Sequence, residues 1–116
     1  MQECGPDVVF HLVRWFLRGY RMTSRVDRIR GAVRAGRYRL SQHAWEALEE
    51  DDFVLADIEA GIESSRWTVK QVDRVTGQRK YVFTGIALDE RTISVVCRLE
   101  STGRVRVITV FEGGAR

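Results

Sequence analysis

Residues 37–48 read R-Y-R-L-S-Q-H-A-W-E-A-L (Arg37–Leu48), and the chain changes character across them. Upstream lies a basic helical segment that Gly36 ends. A short extended turn follows. Ser41 is a natural N-cap, because its side-chain oxygen accepts from an N–H that the first helical turn leaves unpaired. The helix it opens places Ala44, Ala47 and Leu48 inward, with Trp45 beside that face, and His43 in its first turn.

Working back, Ser24 followed by Asp27 resembles a capping box. Val26, Ile29 and Val33 form one face of a short helix ringed by Arg25, Arg28, Arg30 and Arg34. Before that, Val9, Leu12, Val13, Phe16 and Leu17 recur at helical spacing. Residues 1–21 therefore read as an N-terminal amphipathic helical arm, and residues 22–116 as one α+β domain. The Val9–Leu17 stripe is a surface for the core or for a second copy. Working forward, Asp52 is expected to cap a third helix that buries Leu55, Ile58 and Ile62.

From Ser65 the apolar period becomes two. Strands are expected at Arg66–Val72, Arg79–Leu88, Thr92–Leu99 and Arg104–Phe111, with short polar breaks between them. Short connections make neighbours antiparallel. The expected fold is α+β: two to three N-terminal helices packed on one face of a four-stranded antiparallel β-meander. Alternation assigns Ile93, Val95, Cys97 and Leu99 to the core, together with Val105, Val107, Thr109 and Phe111. Arg98, Arg104 and Arg106 fall on the opposite face.

The net charge of +3 conceals a division. Residues 1–39 hold nine arginines against three acids; residues 46–63 hold eight acids and no base; residues 64–116 hold ten bases and five acids. Such blocks imply an internal electrostatic match, an anionic partner, or both. Cys4 and Cys97 are far apart and fit no C-x-x-C pattern, so neither a zinc site nor a disulfide framework is expected. A reducing cytoplasm fits this cysteine usage. The N-terminus lacks the basic start of a signal peptide, and His11, Arg14 and Arg18 break the apolar run that follows, so no membrane span is expected. No cofactor-binding pattern is present.

One titrating group carries a mechanism. The positive end of a helix disfavours an imidazolium, which leaves His43 able to accept a proton. Cleavage of RNA through the neighbouring 2′-hydroxyl needs such a base, and cations for the phosphate, but no metal. Arg98, Arg104, Arg106 and Lys80 supply cations. The plain alternative is that His43 is a fixed hydrogen-bonding residue, donating to a backbone carbonyl or to Thr109. The parity of the last strand sets Thr109 against the arginines, so the two groups are not expected to meet His43 together.

Ile29–Ala44 (I-R-G-A-V-R-A-G-R-Y-R-L-S-Q-H-A), with Asp57, Gly85, Ile93–Val96 and V-I-T-V-F (Val107–Phe111), resembles the bacterial family of domain of unknown function 4258. That family is held to be related to RelE-like and barnase-like endoribonucleases, often toxins of toxin–antitoxin pairs. The resemblance implies an RNA substrate and no metal, and it makes an antitoxin-like protein a candidate partner for the Val9–Leu17 stripe. It points to His43 and Thr109 as catalytic and to Ser41 and Asp57 as further family positions, here given structural roles. Two positions depart: Ala47 and Asp51 stand where the family commonly carries arginine. The reading is a metal-independent endoribonuclease of RelE-like toxin type, with a non-catalytic protein-interaction or nucleic-acid-binding module as the alternative.

Overall fold

The computed structural model describes residues 24–114. The amphipathic arm, its Val9–Leu17 stripe, Cys4 and His11 lie outside the described residues. Helix α1 (Arg25–Arg34) starts where Ser24 Oγ accepts the Asp27 N–H at 3.2 Å. It ends before Gly36, whose φ of +77° suits a residue without a Cβ. Strand β1 (Tyr38–Leu40) leads through Ser41 into α2 (Gln42–Glu50). After α3 (Leu55–Ser64) come β2 (Trp67–Val72), β3 (Arg79–Ile86), β4 (Thr92–Leu99) and β5 (Val105–Glu112).

The class is α+β, with three helices among the described residues, but the sheet is five-stranded and mixed, in the order β1-β5-β4-β3-β2. The expected four-stranded meander is there as β2 to β5, all antiparallel. The addition is β1, which lies parallel to β5 and pairs Tyr38 with Val105 and Leu40 with Val107. Three residues are too few to show an alternation of period two, so the segment reads as a turn. Its pairing is nonetheless well bonded: Val105 N donates to Arg37 O at 3.0 Å and Ser41 N to Val107 O at 2.9 Å.

The last strand departs from strict alternation. Val96 pairs with Thr109 and Cys97 with Val107, so Ile108 is an extra residue in β5, a β-bulge. A one-residue insertion moves every later side chain to the other face. Val105, Val107 and Val110 are therefore buried, whereas Thr109 and Phe111, expected in the core, are only half-buried on the far face. The third helix also starts differently. Its N-cap is Val54, not Asp52, and Asp52 takes a φ of +60° in the turn that closes α2. Asp57 does the capping: its carboxylate accepts the Val54 N–H at 2.8 Å and the Leu88 N–H at 2.9 Å.

The core lies between the three helices and one sheet face. Ile29 and Val33 of α1, Ala44 and Leu48 of α2, and Ile58 and Ile62 of α3 meet Phe83, Ile93, Val95, Cys97, Val105 and Val107. Burial pushes the Cys97 thiol up to about 12, so it packs as a small hydrophobe. The approach of α3 to β3 is closest at two glycines. A Cβ on Gly85 would stand 2.0 Å from the Gly61 carbonyl oxygen, and one on Gly61 would strike Ile93.

Two stability predictions follow from these contacts. Gly85→Ala must push α3 off β3 and should cost about 3 kcal/mol or more in urea unfolding. Gly31→Ala, where an added Cβ meets nothing within 4 Å, should instead stabilise by about 1 kcal/mol through helix propensity. Equal effects of the two substitutions would contradict this packing. Ser41→Ala removes both a helix cap and a tie to β5, described below, and should cost about 1–2 kcal/mol in the same assay.

Candidate functional site

The site grows from the junction of β1 and α2. The first N–H groups of α2 have no partner inside the helix. Ser41 Oγ accepts one of them, from Ala44, at 3.0 Å. The same hydroxyl donates to the Ile108 carbonyl at 2.9 Å. Ile108 is the bulged residue, so Ser41 satisfies a carbonyl that the bulge takes out of regular pairing. This bond locks the start of α2 onto β5 and fixes the place of His43.

His43 is exposed. No hydrogen bond joins its side chain to Thr109 or to any other described residue. It opens into a groove of about 560 Å³ that it shares with Lys80, Arg98, Arg106, Gln78 and Asp73, with Ser41 and Ile108 completing the lining. The groove crosses the sheet face opposite the helices. Lys80 of β3, Arg98 of β4 and Arg106 of β5 all stand on that face because they alternate with Tyr81, Cys97 and Val107, which point into the core.

Three basic side chains, Lys80, Arg98 and Arg106, line the groove. Arg98 Nη1 donates to the neutral Gln78 Oε1 at 2.7 Å. Among the described residues no carboxylate forms an ion pair with Lys80, Arg98 or Arg106. Asp73 is the one acid in the lining, and its Oδ1 accepts the Val75 and Thr76 N–H groups at 2.8 and 2.9 Å. Those backbone bonds, Thr76 first, hold its carboxyl below the usual range, with Lys80 adding to the effect.

The cations that do have acid partners lie elsewhere. Arg34 forks onto Glu63 at 2.8 and 2.9 Å, and Arg39 meets Glu100 at 3.0 Å. Arg91 pairs with Asp89 at 2.8 Å and lies over the Phe53 ring, 4.0 Å from its centroid. It also donates to the Asp51 and Asp52 carbonyls at the end of α2. Of the acidic block over residues 46–63, Glu63 alone has such an ion pair among the described residues.

Of the residues singled out by sequence, the structure brings together Ser41, His43, Lys80, Arg98 and Arg106. Arg104 lies exposed beside the β4–β5 turn, outside this lining. Thr109 pairs with Val96 on the groove's side of the sheet but does not line it either. Asp57 is buried in its capping role and does not line the groove. Gln78 and Asp73 were not singled out. They come from the β2–β3 turn, and only pairing of the strands carries them beside His43. Among the described residues no three His, Cys, Asp or Glu side chains converge on a metal-sized site. Nor is any described helix long and apolar enough to cross a membrane.

No curated protein and no solved structure matches the chain. Residues 40–112, from the last residue of β1 through the end of β5, match the family described as Domain of unknown function (DUF4258). That span contains the cap, the histidine, the bulge and every groove residue, and the chain belongs to this family.

Proposed function

We propose that the chain is a metal-independent endoribonuclease of RelE-like toxin type, acting through the His43 groove. The observation that carries this reading is the exposed, unbonded His43 in one groove with three cations that no described carboxylate pairs. An RNA phosphate seated among Lys80, Arg98 and Arg106 brings its adjacent 2′-hydroxyl to the imidazole. His43 takes the 2′-hydroxyl proton, and the 2′-oxygen attacks phosphorus. The bond to the 5′-oxygen breaks, leaving a 2′,3′-cyclic phosphate. The departing oxygen draws a proton from water in the open groove, and the imidazolium returns one to solvent. The cations stabilise the charge that builds on the phosphoryl oxygens. Thr109, outside the lining, has no part in these steps.

A second reading has its own support. Ala47 is buried in the core and Asp51 Oδ2 accepts the Glu112 N–H at 3.0 Å, so neither position presents a cation. A groove to which helix α2 adds no cation suits a non-catalytic RNA-binding module. In that reading the same phosphates are held and none is cut.

The full chain, incubated with a labelled RNA oligonucleotide in excess EDTA, is expected to yield 2′,3′-cyclic ends. His43→Ala should lower that rate about 10²–10⁴-fold while leaving RNA affinity nearly unchanged. Lys80→Ala, Arg98→Ala and Arg106→Ala should each weaken binding and flatten its dependence on salt. Binding without cleavage selects the second reading. Cleavage unchanged in His43→Ala, or affinity indifferent to salt, removes the first. Expression of an active toxin should arrest growth, and His43→Ala should relieve the arrest.

A further inference from the structure

The basic lining does not stop at Arg98. Beyond the Arg98–Gln78 pair lies a second concavity of about 430 Å³, which includes Arg25, Arg79, Tyr81 and Glu100. The two grooves share Gln78 and Arg98 and no other residue. The ridge between them is therefore built on one hydrogen bond, Arg98 Nη1 to Gln78 Oε1 at 2.7 Å. A neutral amide oxygen leaves the guanidinium charge uncancelled, so Arg98 is available to an anion on either side.

The second groove also carries more basic than acidic side chains. Glu100 is the single carboxylate in its lining, and Arg39 Nη2 holds it at 3.0 Å. Among the described residues neither Arg25, at the first position of α1, nor Arg79, at the first position of β3, has an acid partner. Tyr81 and Leu99 in this lining alternate with Lys80 and Arg98, so the second groove opens toward the helix side of the sheet. The first opens on the opposite face. Together they turn around the ends of β3 and β4.

We propose that the two grooves form one track for a single RNA strand, with phosphates on both sides of the Arg98–Gln78 ridge. The inference rests on reading the His43 groove as a phosphate site, and it adds the class of substrate: an unpaired strand, not a mononucleotide or a duplex. A mononucleotide cannot occupy both grooves. A duplex is too stiff to bend around the end of a sheet, whereas a single strand follows a charged surface freely. The site size is on the order of four nucleotides, the short end for single-strand grooves.

The test uses the full chain and 2′-O-methyl RNA, which lacks the attacking hydroxyl and cannot be cut. Binding of a hexanucleotide and, by competition, of a dinucleotide is measured across a salt series. Arg25→Ala and Arg79→Ala should each reduce the hexanucleotide's log–log salt slope by about 0.7, the share of one phosphate contact on a single strand. Dinucleotide binding should be unaffected, and Arg79→Lys should restore the slope. A hexanucleotide slope unchanged in both variants would overturn the track. So would equal losses for the dinucleotide, or a duplex of the same length binding as tightly as the strand. Since no cleavage is read, a chain that binds along the track but cuts nothing sinks only the ribonuclease reading.

Discussion

One hydroxyl group ties the chain together at the point where its architecture is most exposed to failure. At Ser41 a parallel strand ends, a helix begins, and the neighbouring strand is interrupted. Each of these events leaves backbone groups without partners, and unpaired backbone groups away from water are costly. Ser41 answers all three. Its N–H extends the β1–β5 ladder to Val107, its oxygen receives the Ala44 N–H, and its own proton goes to Ile108. A residue with a longer or branched apolar side chain could not serve both directions. Alanine would keep the ladder bond and lose the other two.

The bulge that this hydroxyl supports sets the faces of β5. Before it, Arg106 points to the groove and Val107 to the core; after it, Val110 returns to the core and Phe111 faces out. Without the extra residue, Val110 would leave the core and Thr109 and Phe111 would enter it. The insertion also shapes the site. Ile108 lines the groove next to Ser41, and α2 departs from that point with His43 in its first turn. Packing, hydrogen bonding and the position of the imidazole are thus consequences of one register shift.

This explains which parts of the chain were legible in its sequence. The helix over Arg25–Arg34 was plain from Ser24, the Ile29/Val33 face and Gly36, since each signal is local. Strands β3 and β4 are plain from their alternation, which also puts Cys97 in the core among apolar neighbours. Strand β1 was not legible, because its evidence is a partner 67 residues away at Val105 rather than anything in Tyr38–Leu40. The start of α3 was misread because Asp52 is a good capping residue by type, yet it is spent on the turn after α2. The capping carboxylate comes instead from inside the helix, at Asp57. The groove was half legible. Strand parity put Arg98 and Arg106 on one face, but the same parity set Thr109 against them. Only the bulge removes that opposition, and its determinant is a bond between residues 41 and 108.

Charge is distributed differently over the helices and over the sheet. On α2 the exposed residues Glu46, Glu49 and Glu50 project from the surface, and Ala47 packs inward. Asp51 is held by the Glu112 N–H, and Arg91 is drawn to the end of that helix by two carbonyls and two carboxylates. Arg30 serves α3 in the same way, donating to Ile62 and Ser65 where the helix's carbonyls are unpaired. Arg91 is matched by two carboxylates, so its charge adds little to the field that an approaching ligand feels. The strand cations are committed to nothing comparable. In the proposed function a phosphate meets the sheet before His43 and not the acidic helix beyond it. His43 stands at the boundary between the two, on an acidic helix but facing basic strands. That placement follows from where α2 leaves β5, and it does not require arginines on the helix itself.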